Sequence, residues 1–135
     1  MSLITLGVTD VPSAVAFYEA LGWKGTTPDN DVFFFHLNGF IFALWSRAKL
    51  AADSAVTDTG GWGGITLAHN VRTRDEVDAV LAQAAAAGGT ILRNASPAPW
   101  GGYSGVFADP EGHAWEVAHG AFTITDEGDT VLSRE

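Results

Sequence analysis

Trp100-Gly-Gly-Tyr103, followed by Phe107-Ala-Asp109-Pro110-Glu111-Gly112-His113-Ala-Trp115-Glu116-Val117, is the stretch on which the reading of this fold turns. Pro suits the second position of a tight turn and Gly the fourth, so Asp109-Pro110-Glu111-Gly112 predicts a hairpin between strands at Tyr103–Ala108 and Ala114–Ala118. Glu116 lies inside the second of these apolar strands. An inward carboxylate must find donors or become protonated, which marks Glu116 as a residue to account for.

Upstream of this hairpin, Gly64 to Val71 reads as a strand, and Thr73-Arg74-Asp75-Glu76 has the spacing of a capping box at a helix start. Val77, Val80, Leu81 and Ala84 fall on one helical face, Gly88-Gly89 ends the helix, and Thr90 to Leu92 resumes an extended strand. The first half repeats this order. Leu3 to Val8 reads as a strand, and Asp10 or Ser13 with Pro12 opens a helix whose face is Ala14, Phe17, Tyr18 and Leu21, with Gly22 at its end. A polar turn at 26–31 leads to two apolar runs, Val32–Leu37 and Phe40–Trp45, joined at Asn38-Gly39, a strong signal for a tight hairpin. Ser46 to Thr59 holds a helical turn near 48–52 and leads into Gly60-Gly61-Trp62-Gly63-Gly64, where the boundary between the halves is expected. Residues after His119 form an acidic tail with β potential at Phe122–Thr125, either docked or frayed.

With 135 residues the chain is expected to be one domain, and 47% apolar residues are ample for a core. The absence of Cys removes thiolate nucleophiles, disulfides and Cys-ligated metals, and agrees with a reducing compartment. A net charge of −9 with scattered Lys and Arg argues against nucleic acid as a partner. No signal-like segment opens the chain and no apolar run approaches the roughly 18 residues of a membrane span, so no membrane association is expected and the cytoplasm is the expected location. Walker loops, nucleophile elbows, Gly-x-Gly-x-x-Gly and His-Glu-x-x-His are missing, which leaves serine-based and nucleotide-based chemistry unsupported.

Two strand-helix-hairpin units, the helix Asp10 to Leu21 with its Phe17-Tyr18 and Leu21-Gly22, and the Asp-Pro-x-Gly hairpin ending on Glu116 together resemble the vicinal oxygen chelate superfamily of glyoxalase, bleomycin-resistance and extradiol dioxygenase proteins. The resemblance covers residues 2 to 119. It implies an α+β fold of two tandem βαβββ modules whose curved sheets form around a cleft. One domain is expected over 1–120, with modules at about 1–58 and 59–120 and a tail at 121–135. Metal-dependent members present four inward donors, and the matching positions here are Leu3, about Ala43, Gly64 and Glu116. Only Glu116 can ligate. One carboxylate is too few for zinc or for an iron oxygenase, so no metal and no other cofactor are expected.

Strand alternation places Thr5 with Leu3, Trp45 with Ala43, Thr66 and Ala68 with Gly64, and Ala114 and Ala118 with Glu116. The expected ligand-binding residues are Thr5, Trp45, Trp62, Thr66, Trp100, Tyr103 and Glu116. Each has a plainer reading. Trp45 and Trp62 are either stacking walls or interior packing, Trp100-Gly-Gly-Tyr103 is either a loop closing over ligand or a simple turn, and Glu116 is either an anchor or base or the partner of an Arg. His36, His69, His113 and His119 are read as structural or solvated. Two functions follow from the resemblance. One is a homodimeric protein binding an aromatic or cationic small organic molecule without metal. The alternative is a lyase, isomerase or dioxygenase with Glu116 as catalytic base or with a non-standard metal site.

Overall fold

A computed structural model of the chain describes residues 1–132, so Glu135 at the end of the expected acidic tail lies outside the described residues. The chain divides into two units, residues 1–63 and the remainder from Gly64 onward.

In the first unit, β1 (Leu3–Val8) leads into α1 (Val11–Ala20). Asp10 caps the helix, its Oδ1 accepting from Ser13 N–H at 3.1 Å, and Pro12 sits in the first turn, where its missing N–H costs nothing. Gly22 closes the helix in the left-handed region, φ +95°. The strands β2 (Gly25–Thr26), β3 (Phe33–Leu37) and β4 (Phe40–Ser46) complete a sheet in the order β1-β4-β3-β2, with β1 parallel to β4. The hairpin at Asn38-Gly39 forms as its sequence predicts. The two-residue β2 falls partly in what the residues alone read as a polar turn. It is too short to show periodicity and packs instead by close approach, since a Cβ on Gly25 would lie 3.0 Å from the Phe35 ring.

The core of this unit is aromatic. Tyr18 stacks on Trp23 at 5.2 Å and meets Phe42 edge-on at 5.0 Å, with Phe17 and Phe35 alongside. Phe17, Tyr18, Phe35 and Phe42 are almost wholly buried. Such rings contribute area and an additional ~0.5–1.5 kcal/mol per well-oriented pair. They lie on the α1 side of the sheet, which fixes the opposite face as Leu3, Thr5 and Gly7 beside Ile41, Ala43 and Trp45. After β4 comes α2 (Arg47–Asp53), capped by the Ser46 hydroxyl and longer than the expected turn near 48–52. The Arg47 guanidinium then forks onto the Asp58 carboxylate, with Nη2 to Oδ1 at 2.9 Å, and Gly60 N–H donates to the same oxygen. These contacts hold Asp58 down to a pKa of about 2.

The second unit repeats the topology: β5 (Leu67–Asn70), α3 (Arg74–Ala86), β6 (Thr90–Pro97), β7 (Tyr103–Ala108) and β8 (Ala114–His119), in the order β5-β8-β7-β6 with β5 parallel to β8. β5 is shorter than the strand read from Gly64 to Val71. Gly63 and Gly64 sit at φ +82° and +80°, outside the extended region, and pairing starts at Leu67. Thr73 caps α3, its hydroxyl accepting from Glu76 N–H at 3.1 Å; the Glu76 carboxylate accepts from Arg72 N–H, one residue before the cap. Val77, Leu81 and Ala84 are buried, each large aliphatic contributing ~1.5–3 kcal/mol on burial. β6 runs five residues beyond Leu92 because two irregularities, between Ile91 and Arg93 and between Arg93 and Ser96, interrupt its alternation without ending its pairing to β7.

The tail forms a hairpin of β9 (Phe122–Ile124) and β10 (Thr130–Leu132). Arg72 donates to Thr125 O at 2.8 Å, so the hairpin is docked on the start of α3. Among the described residues no helix is long and apolar enough to cross a membrane.

Candidate functional site

The last hairpin is built around Asp109. Its carboxylate, 3% exposed, accepts from Glu111 N–H and His113 N–H at 2.9 Å each, and His113 Nδ1 lies 2.9 Å from its other oxygen. Gly112 N–H closes the turn on Asp109 O at 3.0 Å. Every stage of the Asp-Pro-x-Gly-His sequence therefore serves one turn, and His113 is a structural histidine held on Asp109 rather than a solvated one. That turn fixes the register that places Glu116 opposite Val106 on β7 and Ala68 on β5.

Glu116 thus occupies the strand face opposite α3, together with Ala68, Val106, Ser104, Ala114 and Ala118. Its partner is Arg93, which also registers with Val106. Arg93 Nη2 lies 3.8 Å from Glu116 Oε2, an ion-pair distance longer than a hydrogen bond. The guanidinium is tied instead to Ser104, donating from Nη1 to its carbonyl at 2.9 Å and from Nη2 to its hydroxyl at 3.0 Å. The plainer reading of Glu116, an Arg partner, is what the structure shows. Arg93 itself escapes sequence reasoning because regular alternation from Ile91 would send it to the helix side.

The internal repeat refines the metal-ligand positions. Leu3 precedes the α1 cap, Asp10, by as many residues as Thr66 precedes the α3 cap, Thr73. Thr66, not Gly64, is therefore the counterpart of Leu3. In the first unit Leu3 registers with Ile41 and Thr5 with Ala43, and in the second Ala68 registers with Glu116, which makes Ala43 the counterpart of Glu116. The positions that the resemblance assigns to metal donors are then Leu3 and Ala43 in the first unit and Thr66 and Glu116 in the second. Two hydrocarbons, a neutral hydroxyl and one carboxylate do not suit a divalent ion. Among the described residues, no group of three or more His, Cys, Asp or Glu could hold one either.

The other expected site residues are placed variously. Thr5 and Trp45 share the sheet face of the first unit opposite α1. Trp45 Nε1 donates to Asp31 Oδ2 at 3.1 Å, and Lys49 Nζ donates to Asp31 Oδ1 at 2.8 Å. Lys49 first, then the Trp45 indole, holds the Asp31 carboxyl below its ordinary pKa. Thr66 is exposed just ahead of β5, and Trp62 is 70% exposed within the glycine-rich segment. Trp100 folds back over Gly102, where a Cβ would come within 1.9 Å of its ring, and Ala98 N–H to Gly102 O at 2.8 Å closes this segment as a tight turn.

Tyr103 lies on the helix side. It alternates with Gly105 and Phe107, its hydroxyl donates to Asp78 on α3 at 2.7 Å, and the Arg74 guanidinium sits 5.2 Å from its ring centroid. Asp78 pushes the Tyr103 phenol above its ordinary pKa. The structure does not bring Tyr103 together with Glu116. His69 and His119 are likewise on the helix side, opposite Val117 and Tyr103 in register, as alternation predicts.

Comparison with known proteins agrees with this architecture. The family model of the glyoxalase/bleomycin resistance protein/dioxygenase superfamily matches residues 1–117. The crystal structure of a glyoxalase-related enzyme from Fulvimarina pelagi is 37% identical, covers 99% of this chain and 98% of its own, and superposes with a TM-score of 0.91. A glyoxalase/bleomycin resistance protein/dioxygenase family enzyme from Burkholderia phytofirmans PsJN shares the fold at 20% identity, with coverage of 87% and 96% and a TM-score of 0.75. Lactoylglutathione lyase from Agrobacterium tumefaciens does so at 22% identity, with coverage of 89% and 92% and a TM-score of 0.67. No curated protein matches the chain significantly. With the family model spanning most of the sequence and a 37% identical structure along nearly its full length, this chain belongs to the glyoxalase/bleomycin resistance protein/dioxygenase superfamily.

Proposed function

We propose that the protein binds a small organic molecule without a metal ion, on the strand face that carries Glu116. The observation that carries this reading is the donor set. Leu3, Ala43 and Thr66 occupy three of the four positions that the resemblance assigns to metal donors, and the remaining carboxylate, Glu116, has an arginine beside it at 3.8 Å. A single carboxylate leaves most of a divalent ion's coordination unfilled, whereas a face of Ala, Val and Ser with one charge couple suits an organic ligand oriented by a few polar contacts. The protein works as a cytoplasmic homodimer in this reading. Trp62 and Ile65, 70% and 68% exposed in one short segment, provide apolar surface for a partner subunit to cover.

A thermal-shift screen of aromatic and heteroaromatic compounds, run beside Zn²⁺, Mn²⁺, Ni²⁺ and Fe²⁺, tests it. Saturating ligand at 100 times its Kd stabilises by about 2.7 kcal/mol, a readily measured change. Stabilisation by organic compounds and none by the ions is expected. Stabilisation by an ion, abolished in Glu116→Gln, would replace this reading with a metal-dependent enzyme.

A further inference from the structure

Arg93 reaches Glu116 only because β6 is irregular. Thr90 and Ile91 register with Ala108 and Phe107, so Ile91 shares the helix side with Phe107. Were the strand regular, Arg93 would fall opposite Gly105 on that same side. One step on β7, from Phe107 to Val106, is matched instead by two on β6, from Ile91 to Arg93, leaving Leu92 as the extra residue, 57% exposed. This bulge turns Arg93 to the Glu116 face. A second irregularity between Arg93 and Ser96 brings Ser96 opposite Ser104. Bulges of this kind re-aim a side chain, and they cost pairing to do so.

What they place is a prepared charge. Arg93 spends two of its five N–H donors on Ser104, a residue 1% exposed, which fixes the guanidinium plane before any ligand arrives. Glu116 stands beside it without accepting a hydrogen bond from it. A ligand that is only a cation would meet the Arg93 charge, and one that is only an anion would meet Glu116. A ligand with both charges a few bonds apart satisfies each residue and repels neither.

We propose that Arg93 is a ligand-anchoring residue and that the Glu116 face takes a small zwitterion of the α-amino-acid type, its carboxylate on the Arg93 guanidinium and its ammonium on Glu116. The assignment rests on the metal-free binding reading and narrows its ligand from an aromatic or cationic molecule to one with paired opposite charges. Beside the charge couple, Ala68 is exposed and Val106 and Ala114 are half-buried, an apolar surface for a substituent to lie against.

Isothermal titration of phenylalanine, phenethylamine and N-acetylphenylalanine against the full chain separates the three charge types on one ring. Phenylalanine is expected to bind at least about tenfold more tightly than either single-charge analogue, the scale of one lost charge-assisted contact. Arg93→Met should remove the advantage over phenethylamine and Glu116→Gln that over N-acetylphenylalanine, while Arg93→Lys keeps the order at reduced affinity. Circular dichroism melts confirm that each variant is folded. Equal affinity for all three compounds, or an unchanged order in Arg93→Met, overturns the assignment and leaves metal-free binding standing. Failure of all three to bind also overturns it, and the broader compound and ion screen then decides the parent reading separately.

Discussion

Gly105→Ala adds one methyl group at the point where α3, β7 and the irregular part of β6 meet. The new Cβ would lie 2.5 Å from Leu81 Cδ1, 3.0 Å from Ala95 N and 3.0 Å from Arg93 O. The first contact ends in a side chain that can rotate, but Leu81 is 6% exposed and has little space to turn into. The other two are backbone atoms of β6, on the far side of the residue that carries the charge couple. Overpacking a close-packed site by a methylene or more costs about 1–3 kcal/mol, and two of the three contacts cannot relax without moving β6, so the upper half of that range is expected. Urea unfolding measures it directly, since a lowered midpoint with unchanged slope reports stability alone. The substitution should also weaken any ligand that depends on Arg93, because relief of the clash displaces the Arg93 carbonyl. A loss below about 0.5 kcal/mol, the level of a neutral surface change, would refute the claim that Gly105 is required by the packing of α3 on the bulged strand.

Asp109→Ala should cost about 2–4 kcal/mol, because two backbone N–H groups and the His113 ring lose one buried acceptor; thermal melting checks it, and a change of under 1 kcal/mol would contradict the turn's dependence on this carboxylate. Asp58 has a folded pKa of about 2, below its ordinary value, so its pairing with Arg47 stabilises fully above about pH 4 and is lost as pH falls towards 2. Asp58→Asn should accordingly be less stable than the parent at pH 6 and converge with it by pH 2, followed by denaturant midpoints across that range. Tyr103→Phe removes a hydrogen bond to Asp78 at an exposed site, so it should shift stability only slightly while leaving ligand affinity unchanged, which calorimetry tests.

The repeat, both helices and the two long hairpins are readable in the residues because each has a local cause. Asp10 and Thr73 cap, Gly22 and Gly39 supply left-handed turns, and the apolar spacings choose the buried faces. What escapes reading is set by distant packing. β2 exists because Gly25 can approach Phe35, and β6 continues past Leu92 because Gly105 admits the bulged backbone. The candidate site was half legible for the same reason. Glu116 announces itself as a charge in an apolar strand, but Arg93 reaches it through a bulge that resets the period of two on which face assignments rest. Tyr103 is a different case: it shares its parity with Phe107, a core residue opposite Trp115, so alternation alone could have assigned it to the helix side. Counting back from Thr73 could likewise have identified Thr66 as the partner of Leu3.

The most direct test of metal-free binding is native mass spectrometry with elemental analysis on protein purified without chelators from metal-supplemented cells. A dimer carrying no stoichiometric divalent metal is expected, with any bound mass that of a small organic molecule. Near one divalent ion per chain, lost in Glu116→Gln, would contradict it and make the protein a metal-dependent member of its superfamily.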